Sequence, residues 1–153
     1  MNDIFISQKY ASPIGDIYAL SSSKGLKEVF VNPQNVPKLP EGDPFGAIAQ
    51  LKEYFNGQRK KFDVPFDIEV TQFTKTVLDK IYEIPFGKTM TYSELAAAIG
   101  KPKASRAVGS ALGRNPVLII LPCHRILGKN SLGGFAAGLE VKSKLLEHEG
   151  ALL

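Results

Sequence analysis

The sequence predicts an α+β protein in two parts, a small antiparallel sheet with one helix followed by a helical domain. In the first half, short β-rich runs alternate with turn signals, whereas from residue 74 onward apolar residues recur with helical spacing. The length of 153 residues and the 44% hydrophobic content suit one compact domain or two small ones. We expect an N-terminal domain of residues 1–70 that ends in a linker, and a C-terminal domain of residues 71–153.

The elements of the first half follow from these signals. Residues 3–9, 15–22 and 26–31 are β-rich and predict a three-stranded antiparallel meander. Pro44 is expected to open a helix that runs to Asn56, and residues 66–70 to add one more strand. The apolar residues that predict the buried face of this helix are Phe45, Ile48, Leu51 and Phe55.

The second half predicts four helices and one buried strand. Thr74 is expected to cap the first helix, and residues 93–100 and 104–112 to form the second and third. Residues 117–121 are an aliphatic run that predicts a buried strand or extended segment, and the last helix begins at Leu139. Two short helices joined by three or four residues are typical of a helix-turn-helix, although such pairs also occur in other small α domains.

The third helix is poor in side-chain bulk. Its only large side chains are Arg106, Val108 and Leu112. Such a surface allows a close backbone approach, either to the protein's own core or to a nucleic-acid groove. A glycine inside a helix costs about 1 kcal/mol relative to alanine, which favours a reason for Gly109 other than helix stability.

The charge is distributed unevenly. Residues 1–73 hold 8 basic and 9 acidic side chains, a net charge of −1, whereas residues 74–153 hold 11 and 6, a net charge of +5. This surplus indicates either a polyanionic partner or a simple contribution to solubility.

Composition excludes several classes of protein. One cysteine forms no internal disulfide, and with two histidines it does not provide a usual structural zinc site, so we expect no metal and no cofactor. The longest aliphatic run is five residues and the N-terminus lacks the pattern of a signal peptide. These features predict an intracellular, cytoplasmic protein without a membrane partner.

Cys123 and His124 form a candidate chemical site at the end of the aliphatic run. A thiol attacks carbon as the thiolate, and a neighbouring base and the positive charge of Arg125 would favour that form. The alternative is a small buried hydrophobe beside an unrelated histidine. Glu149 opposes the dipole at the end of the last helix, which is unfavourable unless its carboxylate is paired.

The segment around this site resembles the O6-alkylguanine-DNA alkyltransferases, the methylated-DNA–protein-cysteine methyltransferases. The resemblance covers residues 73–150 and rests on five motifs, while the first half agrees only in architecture. The motifs are Ile84-Pro85-Phe86-Gly87-Lys88-Thr89-Met90-Thr91-Tyr92, Ala104-Ser105-Arg106-Ala107-Val108-Gly109, residues 113–125 ending in Pro122-Cys123-His124-Arg125, Gly133-Gly134-Phe135-Ala136-Ala137-Gly138-Leu139, and residues 142–150.

The resemblance implies a fold and an activity. Family members carry a ribonuclease-H-like N-terminal domain and a C-terminal DNA-binding domain of the winged helix-turn-helix type. They flip an O6-alkylated guanine, and in some cases an O4-alkylated thymine, out of duplex DNA. The alkyl group then moves irreversibly to a cysteine, once per molecule. The resemblance implies a monomer that binds double-stranded DNA through the minor groove.

The resemblance also implies roles for individual residues. Cys123 is the acceptor, His124 takes its proton through a water molecule, and Glu149 orients the imidazole. Asn115 bonds the thiol-bearing segment, and Tyr92 rotates a phosphate and donates a hydrogen bond near the base. Arg106 fills the space left by the base. The other residues implied to contact DNA are Thr74, Lys75, Ala104, Ser105, Ala107, Gly109, Ser110 and Arg125.

One departure from the family pattern concerns substrate range. The loop after the active site has Phe135-Ala136-Ala137 where Tyr-Ser-Gly is common, so one hydroxyl donor is missing. Two other functions remain as alternatives. One is a protein that recognises alkylated DNA without repairing it, and the other is a cysteine hydrolase built on Cys123, His124 and Glu149.

Overall fold

A computed structural model describes residues 3–151 of the chain. These residues divide into two compact units. The N-terminal unit comprises residues 3–69 together with 116–118, and the C-terminal unit comprises residues 70–115 and 119–151.

An antiparallel sheet forms the base of the N-terminal unit. Its strands are β1 (Ile4–Ile6), β2 (Tyr10–Ser12), β3 (Gly15–Ser22) and β4 (Leu26–Val31). Both β1 and β2 pair with the edge of β3 that lies opposite β4. The antiparallel meander is therefore confirmed, with its first strand interrupted at residues 7–9.

The interruption has a local cause at Ser7. The Ser7 amide donates to the Ala19 carbonyl, and the Ala19 amide donates back to the Ser7 hydroxyl instead of its carbonyl, each over 2.9 Å. A side chain thus takes one place in the backbone ladder, which ends regular pairing there.

The helix of the N-terminal unit, α1 (Ala47–Phe55), begins later than predicted. The Asp43 carboxylate accepts hydrogen bonds from the amides of Ala47 (3.0 Å) and Ile48 (2.9 Å), so the acid and not Pro44 organises the helix start. The predicted buried face was wrong in part. The buried side chains are Ala47, Leu51 and Tyr54.

Two predicted strands shorten to single bridges along the outer edge of β4. Phe66 pairs with Leu26 and Val117 with Val29, while the rest of residues 66–70 and 117–121 forms no ladder. Ile119 has a φ of 74°, a left-handed conformation that ends the extended run. The aliphatic residues 117–121 are nevertheless all buried, and a short buried run has the same pattern in a strand and in a packed loop.

The C-terminal unit contains four helices and a two-stranded parallel sheet. The helices are α2 (Gln72–Tyr82), α3 (Tyr92–Ala98), α4 (Ser105–Leu112) and α5 (Leu139–His148), and the strands are β5 (Met90–Thr91) and β6 (Ile126–Leu127). Its core is aliphatic. Fully buried members include Val77, Ile81, Leu95, Val108, Ile120, Ile126 and Leu145.

Caps set the starts of α2 and α3. The Thr71 side chain accepts from the amide of Thr74, so Thr71 is the N-cap and the prediction of Thr74 was wrong. Thr91 and Glu94 form a reciprocal capping box at the start of α3. This cap orients Tyr92, the first residue of α3.

The short pair α3 and α4 packs together as predicted for a helix-turn-helix, and α2 packs against both. Val108, Ala111 and Leu112 form the inner face of α4, which leaves Arg106, Ala107 and Ser110 exposed. Among residues 3–151, no helix is long and apolar enough to cross a membrane.

Candidate active site

Cys123 is a buried thiol at the start of a single 3-10 turn, Cys123–Arg125, that follows the aliphatic run. Burial raises the pKa of this thiol from 9.0 to about 11. A hydrogen bond with the Asn115 side chain and the positive charge of Lys142 oppose the shift without cancelling it. At neutral pH the residue is therefore a thiol, and its reaction as a nucleophile requires a base.

Glu149 lies at the C-terminus of α5 and collects four donors on its carboxylate. Oε1 accepts from Arg125 Nε (2.8 Å) and from the Gly87 amide (3.2 Å). Oε2 lies 3.0 Å from Arg125 Nη2, which donates to it, and 2.7 Å from His124 Nε2. The carboxylate is thus paired, which explains an acid at the unfavourable end of a helix.

His124 is fully buried, follows Cys123 in the 3-10 turn and bonds to this carboxylate. Because an ionised carboxylate only accepts hydrogen bonds, Nε2 carries the hydrogen and Nδ1 is the basic atom. Among residues 3–151, no side chain or backbone group bonds to Nδ1. Burial lowers the pKa of His124 against the opposite effect of Glu149, which keeps the imidazole neutral and able to accept a proton.

Asn115 and Lys142 hold the backbone around the thiol. Asn115 Nδ2 donates to the Leu121 carbonyl over 2.8 Å, which ties the end of α4 to the segment that precedes Cys123. Lys142 Nζ donates to the carbonyls of Ile126 (2.6 Å) and Gly134 (3.0 Å). Burial lowers the pKa of Lys142 to about 8.

A pocket of about 220 Å³ opens over Cys123. Tyr92 forms one wall, and its hydroxyl accepts a hydrogen bond from the Gly134 amide over 3.1 Å. Gly133 needs to be a glycine, because its φ is +75° and a Cβ there would lie 2.5 Å from the Tyr92 hydroxyl. The pocket is lined by Tyr92, Gly109, Leu112, Gly113, Cys123, Gly134, Phe135 and Ala136.

The comparisons with known proteins cover both halves of the chain. The model of the 6-O-methylguanine DNA methyltransferase DNA-binding domain matches residues 72–151, and that of the ribonuclease-like domain of the same proteins matches residues 6–68. The chain belongs to this methyltransferase family.

Individual relatives are similar over nearly their whole length. A methylated-DNA–protein-cysteine methyltransferase of Methanosarcina acetivorans is 46% identical over 150 residues, covering 93% of this chain and 96% of the relative. The inducible enzyme of Bacillus subtilis is 42% identical, with coverage of 88% and 84%. The crystal structure of Mycobacterium tuberculosis OGT in complex with DNA superimposes with a TM-score of 0.86 at 37% identity, covering 96% of this chain and 93% of the other.

The structure places the residues that sequence reasoning assigned to the methyltransferase site. His124 is hydrogen-bonded to Glu149 and follows Cys123 in the 3-10 turn, while Asn115 lies beside the thiol and Tyr92 lines the same pocket. On the α4 surface, Arg106, Ala107 and Ser110 are exposed, whereas Ala104, Ser105 and Gly109 are half-buried. Lys75 is exposed on α2 and forms an ion pair with Asp79.

Two residues implied to contact DNA do not face solvent. Arg125 is 5% exposed and its guanidinium is occupied by Glu149 and the Ile84 carbonyl. Thr74 is 1% exposed, and its hydroxyl accepts from that of Thr71. The roles of both residues in DNA binding stay predictions, and neither side chain faces solvent in this structure.

Sequence reasoning missed several residues of this methyltransferase site. Lys142 was not singled out. Leu112, Gly113 and Gly134 were not assigned to the pocket, because backbone and apolar wall residues carry no chemical signal of their own. One signal was present in the sequence. From Leu95 to Leu139 the chain has six basic residues and no acidic one, and five of the six are exposed: Lys101, Lys103, Arg106, Arg114 and Lys129.

No group of three or more His, Cys, Asp or Glu side chains within residues 3–151 is arranged to hold a metal ion.

Proposed function

We propose that this protein repairs DNA by moving an alkyl group from O6 of guanine to Cys123, once per molecule. The observation that carries the proposal is a buried thiol at the base of a pocket, next to a neutral histidine whose other nitrogen is held by a carboxylate. The methylated-DNA–protein-cysteine methyltransferases of Methanosarcina acetivorans and Bacillus subtilis support it.

The proposed reaction is a displacement at the alkyl carbon. His124 Nδ1 receives the Cys123 proton through one water molecule as the C–S bond forms and the C–O6 bond breaks. The departing guanine gains a proton, so the thiol hydrogen is in effect exchanged for the alkyl group and no other reactant is consumed. Water does not cleave the resulting thioether, and each molecule therefore reacts once.

Tyr92 is proposed to act at the base itself. Its hydroxyl lies at the pocket wall and accepts from Gly134, which leaves the phenol hydrogen available for a base nitrogen. A hydrogen bond there stabilises the negative charge that develops on the departing guanine. Without a hydroxyl at Ala136, the backbone amides of residues 135 and 136 are the proposed donors to O6, since the Gly134 amide already donates to Tyr92.

Double-stranded DNA is the proposed partner, bound by a monomer through the minor groove. The exposed face of α4 has small residues flanking Arg106, and a minor groove about 6 Å wide excludes bulkier helices. Arg106 is proposed to fill the stack after the base has been flipped into the pocket. The exposed lysines 101 and 103 and Arg114 add sequence-independent attraction to phosphates.

Intact-mass measurement tests the proposed transfer. Wild-type protein is mixed with an equimolar duplex that contains one O6-methylguanine, and we expect each chain to gain one methyl group in place of a hydrogen. Cys123→Ser should bind the same duplex without any gain in mass. The repaired duplex, in which guanine replaces O6-methylguanine, should appear in the same amount as the methylated protein.

Two other outcomes would contradict the proposal in different ways. Tight, lesion-selective binding with unchanged mass of the wild-type protein would indicate a recognition protein. With the duplex in excess over protein, more than one product per chain would indicate a hydrolase-type cycle at Cys123.

A further inference from the structure

The candidate for a further role is Arg125, the basic residue next to the nucleophile and base that the proposed reaction does not use. It is buried, and its three contacts come from two different elements of the C-terminal unit. Nη1 donates to the Ile84 carbonyl over 2.6 Å, while Nε and Nη2 donate to the two oxygens of Glu149 over 2.8 and 3.0 Å. This is the two-pronged geometry that a planar guanidinium makes with a carboxylate.

The hydrogen-bonding positions on the Glu149 carboxylate are all occupied by donors. An ionised carboxylate offers about four lone-pair positions. The Gly87 amide and Arg125 Nε take those of Oε1, and Arg125 Nη2 and His124 Nε2 take those of Oε2. Protonation of Glu149 would require one of these donors to leave, at a buried position where the loss is costly.

Burial is the main cause of the lowered pKa of His124, and the charge of Arg125 acts in the same direction. The charged groups facing the imidazole are Glu149 and Lys142 from α5 and Arg125 from the 3-10 turn, with the Cys123 thiol adjacent. Glu149 alone favours the imidazolium, and the fixed positive charge of Arg125 offsets that effect. The edge of the Phe135 ring packs at 86° to the imidazole, and it adds no charge.

We propose that Arg125 is a positioning residue for His124, which it controls through Glu149. By keeping Glu149 ionised and hydrogen-bonded at both oxygens, it holds His124 as the neutral tautomer with hydrogen on Nε2. Nδ1 is then the acceptor for the Cys123 proton. The inference rests on the proposed alkyl transfer for its kinetic consequence, whereas the state of His124 is measured without it.

A lysine does not reproduce this arrangement. Its ammonium group is a single charged point, whereas the guanidinium contacts both carboxylate oxygens and the Ile84 carbonyl together. Arg125→Lys keeps the positive charge and loses the fork. Arg125→Met removes both and keeps a comparable apolar stem.

The first test uses the wild-type protein before any alkylation. Two-bond ¹H–¹⁵N spectra of the two histidines are recorded from pH 6 to 8, and the His148→Gln variant assigns the signals. We expect His124 to show a protonated Nε2 and an unprotonated Nδ1 throughout. An imidazolium at pH 7, or hydrogen on Nδ1 instead of Nε2, would overturn the proposal whatever reaction the protein performs.

The second test is the pH profile of a single transfer to Cys123 from free O6-benzylguanine, which avoids DNA binding. In Arg125→Met the unopposed Glu149 should raise the pKa of His124, so the acid limb should move to higher pH by about one pH unit. Arg125→Lys should lie between that variant and wild type. A purely structural residue would instead lower the rate equally at every pH, and that result would overturn the proposal.

Circular dichroism and thermal melting check that both Arg125 variants are folded. If Arg125→Met does not fold, Arg125→Lys and the wild-type spectra still decide the outcome. Absence of transfer by wild-type protein would refute the proposed function, and the histidine spectra of wild type and of Arg125→Lys would then test the role of Arg125.

Discussion

At the scale of single residues, the site depends on burial more than on charge. Cys123 and His124 are neighbours in sequence, and burial moves the pKa of the thiol up and that of the imidazole down. Both groups are then neutral before reaction. In the proposed reaction, a proton transfer during attack therefore takes the place of a permanent thiolate.

The raised pKa of Cys123 predicts a pH-dependent contribution to stability. In the unfolded chain the thiol ionises near its ordinary value, whereas in the folded protein it keeps its proton until about pH 11. Deprotonation therefore favours the unfolded chain as pH rises through 9. The free energy of unfolding of wild type relative to Cys123→Ala should fall by about 1 kcal/mol between pH 8 and pH 10.

Urea unfolding of both proteins at each pH measures this difference. Lys142 acts in the opposite direction. Its folded pKa is lowered to about 8, so it loses its proton more readily in the folded protein and stability rises with pH. Since both proteins contain Lys142, its direct effect largely cancels in the comparison. A difference that stays constant from pH 8 to pH 10 would contradict the buried neutral thiol.

At the scale of elements, α4 has one face that packs in the core and another that is exposed. Its inner face supplies Val108, Ala111 and Leu112 to the core, and its outer face is small except for Arg106. Gly109 lies between them, at the pocket.

Arg106→Ala should affect duplex DNA and a free base differently. Without a side chain to fill the stack, reaction with duplex O6-methylguanine should slow by roughly tenfold or more, since unstacking a base costs a few kcal/mol. Reaction with free O6-benzylguanine should stay within about twofold of wild type, because no base needs to leave a stack. Single-turnover rates by intact mass measure both.

The matched control for Arg106 is Lys103→Ala, which removes an exposed positive charge from the turn between α3 and α4. It should weaken duplex binding and reduce its salt dependence, without slowing reaction at saturating protein. Equal slowing of duplex and free-base reactions by Arg106→Ala would refute the stack-filling role.

Gly109→Ala should stabilise the protein while slowing repair. A Cβ at this position would lie 3.8 Å from Tyr92 Cε1, an ordinary contact, so the variant gains up to about 1 kcal/mol of helix propensity without a clash. The added methyl group narrows the pocket above Cys123. Thermal melting and single-turnover transfer from duplex DNA measure the two effects.

Thr76→Ala on α2 provides the comparison for Gly109→Ala. It also improves helix propensity, and Thr76 does not line the pocket. It should leave the transfer rate unchanged. A stabilised Gly109→Ala protein that reacts as fast as wild type would show that the pocket does not need a glycine there.

At the scale of the whole C-terminal unit, the active site is connected to several elements. Glu149 ends α5 and bonds Arg125 in the 3-10 turn, Asn115 bonds the segment before Cys123, and Lys142 joins α5 to β6 and to the Gly134 loop. We therefore expect a change at the sulfur to affect the elements that form the pocket.

Alkylation of Cys123 should destabilise this unit. The alkyl group removes a thiol hydrogen and adds volume inside packed surroundings, where overpacking costs about 1–3 kcal/mol. The melting temperature should fall by several degrees on methylation and further on benzylation, unless the pocket accommodates the ring. Melting of unmodified, methylated and benzylated protein in one buffer measures this; equal midpoints would contradict the coupling.

The sequence alone determined the chemistry and the class of fold. Cys123-His124, the short helices α3 and α4 and the change from strand to helix periodicity are local patterns, and local patterns are readable because neighbouring residues share one element. The motifs around them were sufficient to name the family, which the comparisons confirmed.

Only the tertiary structure decided which side chains meet and which face solvent. Arg125 is a basic residue whose side chain is buried against Glu149, 24 residues away, while Thr74 lies in the core. Residues 117–121 are buried without forming a strand. A left-handed conformation at Ile119 interrupts the extended run, and the apolar side chains are buried in the loop as they would be in a strand. Burial and long-range pairing depend on how elements pack, and no local pattern in the chain encodes that.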